Sequence, residues 1–282
     1  MARVIPDPMG AQIDEFHRLH QAGCFVIPNP FDVGSARLLA GLGFKAIATS
    51  SAGFAWTIGR RDNEVSLDEV LGHLRAVAGS VEIPVNADFE DGFATEPAGV
   101  ARNVTAAVAT GIAGLSIEDS TGNAEQPLLD RSLAVQRIAA ARDAIDRSRT
   151  RVLLTARSEG FIAGRPDLKE TIDRLVAYAE AGAECLFAPG LKTRDDIAAL
   201  VKAVAPKPVN VLVSTGFITV AELADLGVRR ISVGGALART AWTGFLAAAK
   251  EIAEGGTFGA FGRAISTPDM NKLFDAASRH HS

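Results

Sequence analysis

The fold is indicated most clearly by residues 83–119, IPVNADFEDGFATEPAGVARNVTAAVATGIAGLSIED. The apolar runs at its two ends have the length of buried strands. The middle, PAGVARNVTAAVATG, has the three-and-four spacing of apolar residues that is typical of a helix. Strand–helix–strand order with nearly continuous apolar strands favours a parallel sheet.

The same alternation extends along the chain. Eight runs rich in Val, Ile and Ala are candidate strands: CFVIPN (24–29), KAIATS (45–50), IPVNADF (83–89), GLSIED (114–119), RVLLTAR (151–157), CLFAP (185–189), PVNVLV (208–213) and RRISVGG (229–235). Helical patterns lie between them, and several end in glycine, as helices often do. Eight units in roughly 230 residues fit a closed (β/α)8 TIM barrel, an α/β fold, better than an open sheet.

The domain organisation is predicted to be simple. We expect one barrel domain over residues 1–282, because no linker or low-complexity segment interrupts the pattern. From about residue 241 to 282 the chain continues as a C-terminal helical extension, WTGFLAAAKEIAEGG and PDMNKLFDAASRHHS. A minimal barrel does not need these helices, and we expect them to pack on a partner subunit.

Composition narrows the classes of partner. The chain has 29 Lys and Arg against 33 Asp and Glu, a net charge of -4, without a basic block, which argues against nucleic-acid binding. No apolar run approaches the ~18 residues of a membrane span. The first ten residues do not resemble a secretory signal, so a cytoplasmic protein that binds a small molecule is expected. Cys24 and Cys185 lie in separate strand-like runs, which predicts free thiols rather than a disulfide or metal site.

Polar residues end four successive strands, where barrel enzymes carry their chemistry. They are Thr49, Ser50 and Ser51 after the second strand, Asp88, Glu90 and Asp91 after the third, Glu118 and Asp119 after the fourth, and Arg157 and Glu159 after the fifth. Any one acid could be a helix cap or a loop residue, and Arg157 could form a salt bridge at the barrel mouth. Their convergence favours an active site. Asn210, at the end of the seventh strand, is a further candidate for substrate binding.

The chemistry of these side chains indicates a cation. Carboxylates gathered without His or Cys favour Mg2+, or Mn2+, over zinc. Arg157 on the adjacent strand would then face an anionic substrate held by the metal. The five histidines are interpreted as non-catalytic, and Tyr178, within a predicted helix, is assigned to packing.

Several segments together resemble the isocitrate lyase and phosphoenolpyruvate mutase superfamily. They are SSAGFAWTIGRRDNEVSLDEVL (50–71), DFEDGFA (88–94), GLSIED (114–119), TARSEGFIAG (155–164) and GAECLFAPGL (182–191). The resemblance implies a (β/α)8 barrel, assembled as a homodimer or homotetramer whose terminal helices are commonly exchanged between subunits. It also implies Mg2+, a 2-oxo acid or related carboxylate, and a metal-bound enolate of pyruvate type.

The resemblance assigns roles to individual residues. Asp88 would bind the metal directly, and Glu90, Glu118 and Asp62 would hold its water ligands. The turn Ser50–Ser51–Ala52 would bind the substrate carboxylate through a hydroxyl and backbone N–H groups. Arg157 would pair with substrate oxygens.

Departures from the family pattern leave the reaction open. Glu90 replaces an Asp, Asp91 a Thr and Ala94 a Gly. The loop EDSTGNAEQPLLD (118–130) lacks both the Lys-[KR]-Cys-Gly-His motif of the isocitrate-type lyases and the longer gating loop of the mutases, and Ser120 stands where the mutases have a Lys. Ser120, Asn123, Glu125, Glu159 or a metal-bound water could supply the proton.

The prediction for function is therefore a Mg2+-dependent lyase. It would cleave a carbon–carbon bond in, or decarboxylate, a small oxaloacetate-like 2-oxo or 2-hydroxy acid. Decarboxylation needs least from the missing loop, because after CO2 leaves only a proton from water is required. Two alternatives stay open: carbon–phosphorus chemistry on a phosphonopyruvate-like acid, and a catalytically inactive protein that binds 2-oxo acids.

Overall fold

The computed structural model describes residues 8–278 and contains eight parallel strands arranged as a nearly closed barrel. The strands are β1 (Phe25–Ile27), β2 (Ile47–Ala48), β3 (Val85–Asp88), β4 (Gly114–Glu118), β5 (Leu153–Arg157), β6 (Cys185–Phe187), β7 (Val209–Leu212) and β8 (Arg230–Ser232). Each lies within one of the eight predicted runs. The prediction of a (β/α)8 TIM barrel is confirmed.

Helices surround the sheet and follow the strands in sequence. They are α1 (Pro8–Gln21), α2 (Val33–Gly41), α3 (Ser51–Thr57), α4 (Leu67–Ala78), α5 (Pro97–Val108), α6 (Arg131–Ser148), α7 (Leu168–Glu180), α8 (Arg194–Val204), α9 (Val220–Asp225), α10 (Ala236–Gly255) and α11 (Thr267–Ser278), with a 3-10 turn at Gly259–Arg263. Within residues 8–278 no helix combines the length and the apolar character required to cross a bilayer.

Local sequence explains why several helices begin where they do. Ser66 caps α4 and Thr219 caps α9, each in a capping box with a glutamate three residues later. At the other end of α7, Gly182 has φ +105°, and a Cβ there would lie 2.6 Å from Cγ of Arg142. Only glycine fits such a left-handed position beside a packed side chain.

Strand order around the barrel is β1-β8-β7-β6-β5-β4-β3-β2. Strands β1 and β2 close the barrel with little backbone hydrogen bonding: the N–H of Ala48 donates to the carbonyl of Pro28 at 3.1 Å. We call this junction of β1 and β2 the seam. Asn29 reinforces this seam, because its Nδ2 donates to the carbonyl of Thr49 at 2.9 Å while its Oδ1 accepts from the N–H groups of Val233 and Gly234. One buried amide therefore joins the ends of β1, β2 and β8.

The apolar core lies between the sheet and the helices, whereas part of the barrel interior is polar. Arg230 is buried there and donates from Nε to Oδ1 of Asn210 at 2.9 Å and from Nη2 to Oγ1 of Thr155 at 3.1 Å. Cys185 is buried and Cys24 is half-buried, and both are free thiols, as predicted.

The C-terminal segments differ from the barrel in their exposure. Ala238 is the only residue of α10 that is buried. Large apolar side chains are exposed on α10 and beyond: Phe245, Leu246, Phe258, Phe261 and Ile265. Helix α11 lies against α2 of the same chain. Packing of this extension on a partner subunit stays a prediction, and His280 and His281 lie outside the described residues.

Candidate active site

Arg157 is the centre of a cluster of carboxylates at the C-terminal ends of β3, β4 and β5. Its Nη1 lies 2.6 Å from Oδ1 of Asp88, its Nη2 3.0 Å from Oε2 of Glu118, and its Nε 3.0 Å from Oε1 of Glu159. Glu118 and Arg157 are direct partners in the β4–β5 register. The structure therefore brings together four of the residues that the sequence predicted for this site.

The segment after β2 joins this cluster from the other side. The backbone N–H of Ser51 donates to Oδ2 of Asp88 at 3.0 Å, and the Ser51 hydroxyl bonds to Asp62. Burial raises the pKa of Asp62, and the charge of Asp88 raises it further, although the bond from Ser51 opposes this. Both Ser51 and Asp62 therefore stand at the edge of the carboxylate cluster.

Glu90 has an unusual backbone and an unpaired side chain. Its φ is +45°, in the left-handed region, and its side chain is 8% exposed with Oε1 buried and without a hydrogen-bond partner in the described structure. Burial, together with repulsion from Asp88, Glu118 and Asp62, raises its pKa to about 8. Left-handed backbone in a residue other than glycine often occurs at functional sites.

The turn that holds Glu90 is braced from outside the barrel. Asp91, which follows it, uses its own Oδ1 to accept from the N–H of Phe93 at 2.8 Å, so it orients the turn. Arg137 of α6 is buried and donates to three backbone carbonyls, those of Asp91, Ala94 and Glu118.

The cluster carries more negative charge than its one guanidinium can balance. Burial raises the pKa of Glu118, although the charge of Arg157 opposes the shift. Burial likewise raises the pKa of Glu159 to about 8, again against the effect of Arg157. Three carboxylates contact Arg157, while Glu90 and Asp62 lie nearby, so protons or a further cation must compensate the excess.

The hairpin after β4 covers one side of the site. Ser120 pairs with Leu128 in an isolated antiparallel bridge, and the N–H of Thr121 donates to the carbonyl of Pro127 at 3.0 Å. Ser120 Oγ donates to Oε1 of Glu118 at 3.0 Å. Residues 120–128 therefore form a closed turn whose first residue contacts the acid cluster.

Two cavities open beside the cluster. One, of about 380 Å³, is lined by Ser51, Asp62, Asn63, Glu118, Ser120, Gly122, Asn123, Ala124, Pro127, Arg157, Glu159, Ile162 and Ala163. The other, of about 420 Å³, is bordered by Glu90, Asp91 and Phe93 and shares Glu118 and Ser120 with the first. In the 380 Å³ cavity Arg157 is the one cation among the described lining residues, and the others are acidic or uncharged.

Three predicted substrate residues occupy different surroundings. Ser50 is buried and accepts the N–H of Gly53 at 3.2 Å as the cap of α3, and neither it nor Ala52 lines the 380 Å³ cavity. Asn210 lines an interior cavity of about 80 Å³ that Asp88 and Arg157 also border, and its Nδ2 donates to Ser232 Oγ. Their roles in substrate binding stay predictions.

Sequence reasoning missed a buried network behind the site. Asp119, counted only among the strand-end acids, accepts hydrogen bonds from Tyr178 and Arg174 of α7 and from the backbone N–H of Glu159. Tyr178, assigned to packing, is therefore also a hydrogen-bond donor. The contact joins residues 59 positions apart, and no local pattern marks it.

The side chains present fit a hard divalent cation. Asp62, Asp88, Glu90 and Glu118 supply only oxygen, which suits Mg2+, and the unpaired buried oxygen of Glu90 lacks the partner that a cation or its water would provide. Among residues 8–278, no three His, Cys, Asp or Glu side chains are arranged to chelate one ion together. This arrangement suits an ion that one carboxylate binds directly and others hold through water, since Mg2+ usually keeps several waters.

Comparison with known proteins gives a consistent assignment. Residues 16–253 match the family model of phosphoenolpyruvate phosphomutase. The crystal structure of a candidate lyase/mutase from Burkholderia cenocepacia J2315 is 46% identical, with a TM-score of 0.92 over 95% of this chain and 98% of that one. The 2-methylisocitrate lyase of Escherichia coli K12 is 32% identical over 57% of this chain and 56% of its own length.

A further relative is the oxaloacetate decarboxylase of Rhodopseudomonas palustris BisB5. It is 33% identical over 49% of this chain and 48% of its own length. The chain thus spans about half the length of these two named enzymes, whereas the family model covers most of its barrel. The chain belongs to the phosphoenolpyruvate phosphomutase family and is an enzyme of the isocitrate lyase and phosphoenolpyruvate mutase superfamily.

Proposed function

We propose that this protein is a Mg2+-dependent lyase that decarboxylates, or cleaves a carbon–carbon bond in, a small oxaloacetate-like 2-oxo or 2-hydroxy acid. The observation that carries the proposal is the meeting of Arg157 with three carboxylates beside the 380 Å³ cavity. Named relatives act on acids of this kind, a 2-methylisocitrate lyase and an oxaloacetate decarboxylase among them.

The proposed cation site consists of Asp88, with Glu90, Glu118 and Asp62 around it. Mg2+ held there, or Mn2+ in its place, would stabilise the negative charge that develops on the oxygens of a 2-oxo carboxylate during cleavage. Asp62, Glu90 and Glu118 would then remain ionised at neutral pH, because a cation lowers the pKa values that burial raises. Binding of the cation should therefore release protons.

Arg157 is proposed to bind the substrate. When a cation neutralises Asp88 and Glu118, the guanidinium becomes free to donate two parallel hydrogen bonds to substrate oxygens, the geometry that Arg provides best. Its Nε remains on Glu159, which fixes the plane of the guanidinium. Ser51, the substrate-turn residue that lines the cavity, would supply a hydroxyl.

The small number of cations around the cavity favours decarboxylation over carbon–phosphorus chemistry. Besides the acids and Arg157, the lining includes the apolar residues Ala124, Pro127, Ile162 and Ala163. A phosphonate dianion there would have no second cation among the described lining residues. A carboxylate that leaves as CO2 loses its charge on leaving, and a neutral surrounding disfavours the charged ground state. Carbon–phosphorus cleavage is therefore the weaker alternative.

A proton must then reach the carbon that CO2 has left. Ser120, hydrogen-bonded to Glu118, and Glu159, whose pKa burial raises to about 8, are the protein groups proposed to deliver it or to hold a water that does. Both line the 380 Å³ cavity. A substitution at either position should slow protonation more than substrate binding.

The exposed apolar face of α10 and the segment after it supports the proposal of a homodimer or homotetramer. Phe245, Phe258 and Phe261 are each more than half exposed in the isolated chain. Clusters of exposed aromatic side chains, such as the Trp242–Phe245 and Phe258–Phe261 pairs, often mark an interface. Light scattering that showed a monomer at micromolar concentration would contradict this part of the proposal.

The test of the activity is a pyruvate-release assay on purified protein, with Mg2+ and with EDTA. The panel contains oxaloacetate, phosphonopyruvate, 2-methylisocitrate and isocitrate, with a separate glyoxylate readout for isocitrate. We expect metal-dependent turnover of a carbon–carbon substrate. Turnover of phosphonopyruvate alone would favour the alternative reaction, and oxalate binding without any turnover would indicate a binding protein.

A further inference from the structure

The chain of contacts behind the active site begins on α7, outside the barrel. Tyr178 donates its hydroxyl to Oδ2 of Asp119 at 2.7 Å, and Arg174 donates from Nη1 to the same oxygen at 3.2 Å. The other carboxylate oxygen, Oδ1, accepts the backbone N–H of Glu159 at 2.8 Å. Asp119 therefore links a helix to the loop that follows β5.

From Glu159 the contacts continue into the site. Its Oε1 accepts from Nε of Arg157 at 3.0 Å, and the same guanidinium reaches Asp88 and Glu118. Neither Tyr178 nor Asp119 lines the 380 Å³ cavity, so neither can touch a substrate there. Their effect on the reaction must therefore be indirect, through neighbours such as Glu159, whose N–H Asp119 accepts.

This hydrogen-bond network is buried, and the donor and acceptor of each bond are fixed. Tyr178 is 1% exposed and Asp119 is 2% exposed, where water cannot replace a lost hydrogen bond. Burial and the neighbouring carboxylate of Asp119 raise the pKa of Tyr178 well above its usual range, so the hydroxyl keeps its proton. Tyr178 is therefore a permanent donor, and Asp119 has donors on both of its oxygens.

Asp119 also holds the hairpin that covers the site. Its carbonyl accepts the N–H of Leu129 at 2.9 Å, and Arg174 donates from Nη1 to the carbonyl of Leu129 at the same distance. The loop after β5 is thus bonded to the carboxylate of Asp119, and the end of the β4 hairpin is bonded to its backbone carbonyl and to Arg174. Both carry residues that line the 380 Å³ cavity.

We infer that Tyr178 is a positioning residue which, through Asp119, fixes Glu159 and hence the orientation of Arg157 toward the substrate. The expected effect on turnover rests on the proposed function, whereas the hydrogen bonds that join Tyr178, Asp119 and Glu159 do not depend on it. Without the tyrosine hydroxyl, Asp119 Oδ2 keeps only the longer bond from Arg174, and the carboxylate can rotate away from the N–H of Glu159.

The test compares Tyr178→Phe with Thr110→Val. Thr110 is also buried, and its hydroxyl donates one hydrogen bond, to the carbonyl of Ala107 at the end of α5, remote from Arg157 in the contact network. Each variant therefore loses one buried hydroxyl. A purely structural effect would lower stability in both and would leave kcat per folded molecule unchanged.

Two readouts are measured on each variant. Hydrogen exchange of the peptide that contains Glu159 should become about tenfold faster in Tyr178→Phe, the factor expected for one lost buried hydrogen bond. For the substrate found in the pyruvate-release panel, kcat should fall by about tenfold to a hundredfold while KM changes less than about twofold. Thr110→Val should match the wild type in both readouts.

The inference is overturned if Tyr178→Phe behaves as Thr110→Val does in exchange and in kcat. If no substrate in the panel is turned over, hydrogen exchange alone decides on positioning, so failure of the lyase activity stays distinguishable from failure of the link. Where Tyr178→Phe does not fold, Asp119→Asn replaces it. The amide keeps the volume but has one accepting oxygen, so it cannot accept from Tyr178 and Arg174 on one side and from the N–H of Glu159 on the other.

Discussion

Replacement of Asn29 should destabilise the barrel at the seam between β1 and β2. Its side chain makes three hydrogen bonds, to Thr49, Val233 and Gly234, at 2.9, 2.9 and 2.8 Å. Each buried hydrogen bond contributes about 1 kcal/mol net, and donors left unpaired cost more, so Asn29→Ala should lower the free energy of unfolding by about 3 kcal/mol.

Asn29→Asp separates hydrogen bonding from packing. The aspartate has nearly the same volume and can still accept from Val233 and Gly234, but its second oxygen would face the carbonyl of Thr49 where the amide donated. We therefore expect a loss of about 1–3 kcal/mol for this variant as well. If filling of space dominated, Asn29→Asp would be as stable as the wild type.

The assay is urea unfolding followed by circular dichroism, with the free energy extrapolated to water. Asn271→Ala, an exposed change on α11, is the control and should remain within about 0.5 kcal/mol of the wild type. An Asn29→Asp value within that same range would refute the reasoning that this amide closes the seam between β1 and β2.

Three further outcomes are expected. Arg157→Lys should lower kcat/KM about a hundredfold or more, because an ammonium cannot reproduce three directed contacts, whereas exposed Arg165→Lys should retain activity. Burial lowers the pKa of His20 to about 3, so this residue stays neutral in the folded state but binds a proton when unfolded, and the free energy of unfolding falls as pH drops below about 6.5. In urea titrations His20→Asn should remove about 2 kcal/mol of this loss between pH 6.5 and 4.5. If the free energy of unfolding fell equally with pH in the variant and the wild type, the prediction would be contradicted. The pKa of Glu90 is raised to about 8, so this residue binds a proton more tightly in the folded state, and in EDTA the free energy of unfolding falls as pH rises from about 4.5 to 8. At pH 8 in EDTA, urea unfolding should therefore show Glu90→Gln to be more stable than the wild type. Added Mg2+ should make the wild type the more stable of the two.

Much of the barrel was predictable because its strands are short apolar runs in a regular alternation. All eight occur where expected, since buried parallel strands leave a nearly continuous apolar signature. The convergence of Asp88, Glu118 and Arg157 followed from the same logic, because the C-terminal ends of parallel strands meet at one face. The metal and substrate roles given to these residues stay predictions.

The contacts that the sequence did not reveal are those between distant polar residues. Tyr178 in α7 follows helical spacing and resembles any packing residue, yet its hydroxyl reaches an aspartate at the end of β4. Arg137 of α6 resembles a surface charge on a helix, although it is buried on three carbonyl groups. Neither position has a local pattern that distinguishes it, because the partner is supplied only by the closed barrel.

Ser50 and Asn210 show that the sequence also does not reveal which predicted site residues are already hydrogen-bonded within the fold. Ser50 was assigned to the substrate through the family resemblance and Asn210 through its place in the seventh strand, but neither indication tells whether a polar group stays free after folding. Ser50 is used by the cap of α3, and the amide of Asn210 is bonded to Ser232 and Arg230. The Ser50 hydroxyl and the Asn210 amide make hydrogen bonds to the helix backbone and to side chains in the barrel interior, and the sequence does not show these partners.

The central claim is that Asp88 binds a cation on which turnover of a 2-oxo acid depends. The most direct measurement is pyruvate release from oxaloacetate, above the rate without protein, by the wild type, Asp88→Asn and Asp130→Asn, each with Mg2+ and with EDTA. Asp130 is exposed, precedes α6 as its N-cap and makes no side-chain capping bond, so it controls for the loss of a charge. The account predicts Mg2+-dependent release that Asp88→Asn lowers about a hundredfold or more and Asp130→Asn retains. Equal release by Asp88→Asn and the wild type, or release that EDTA does not affect, would contradict it.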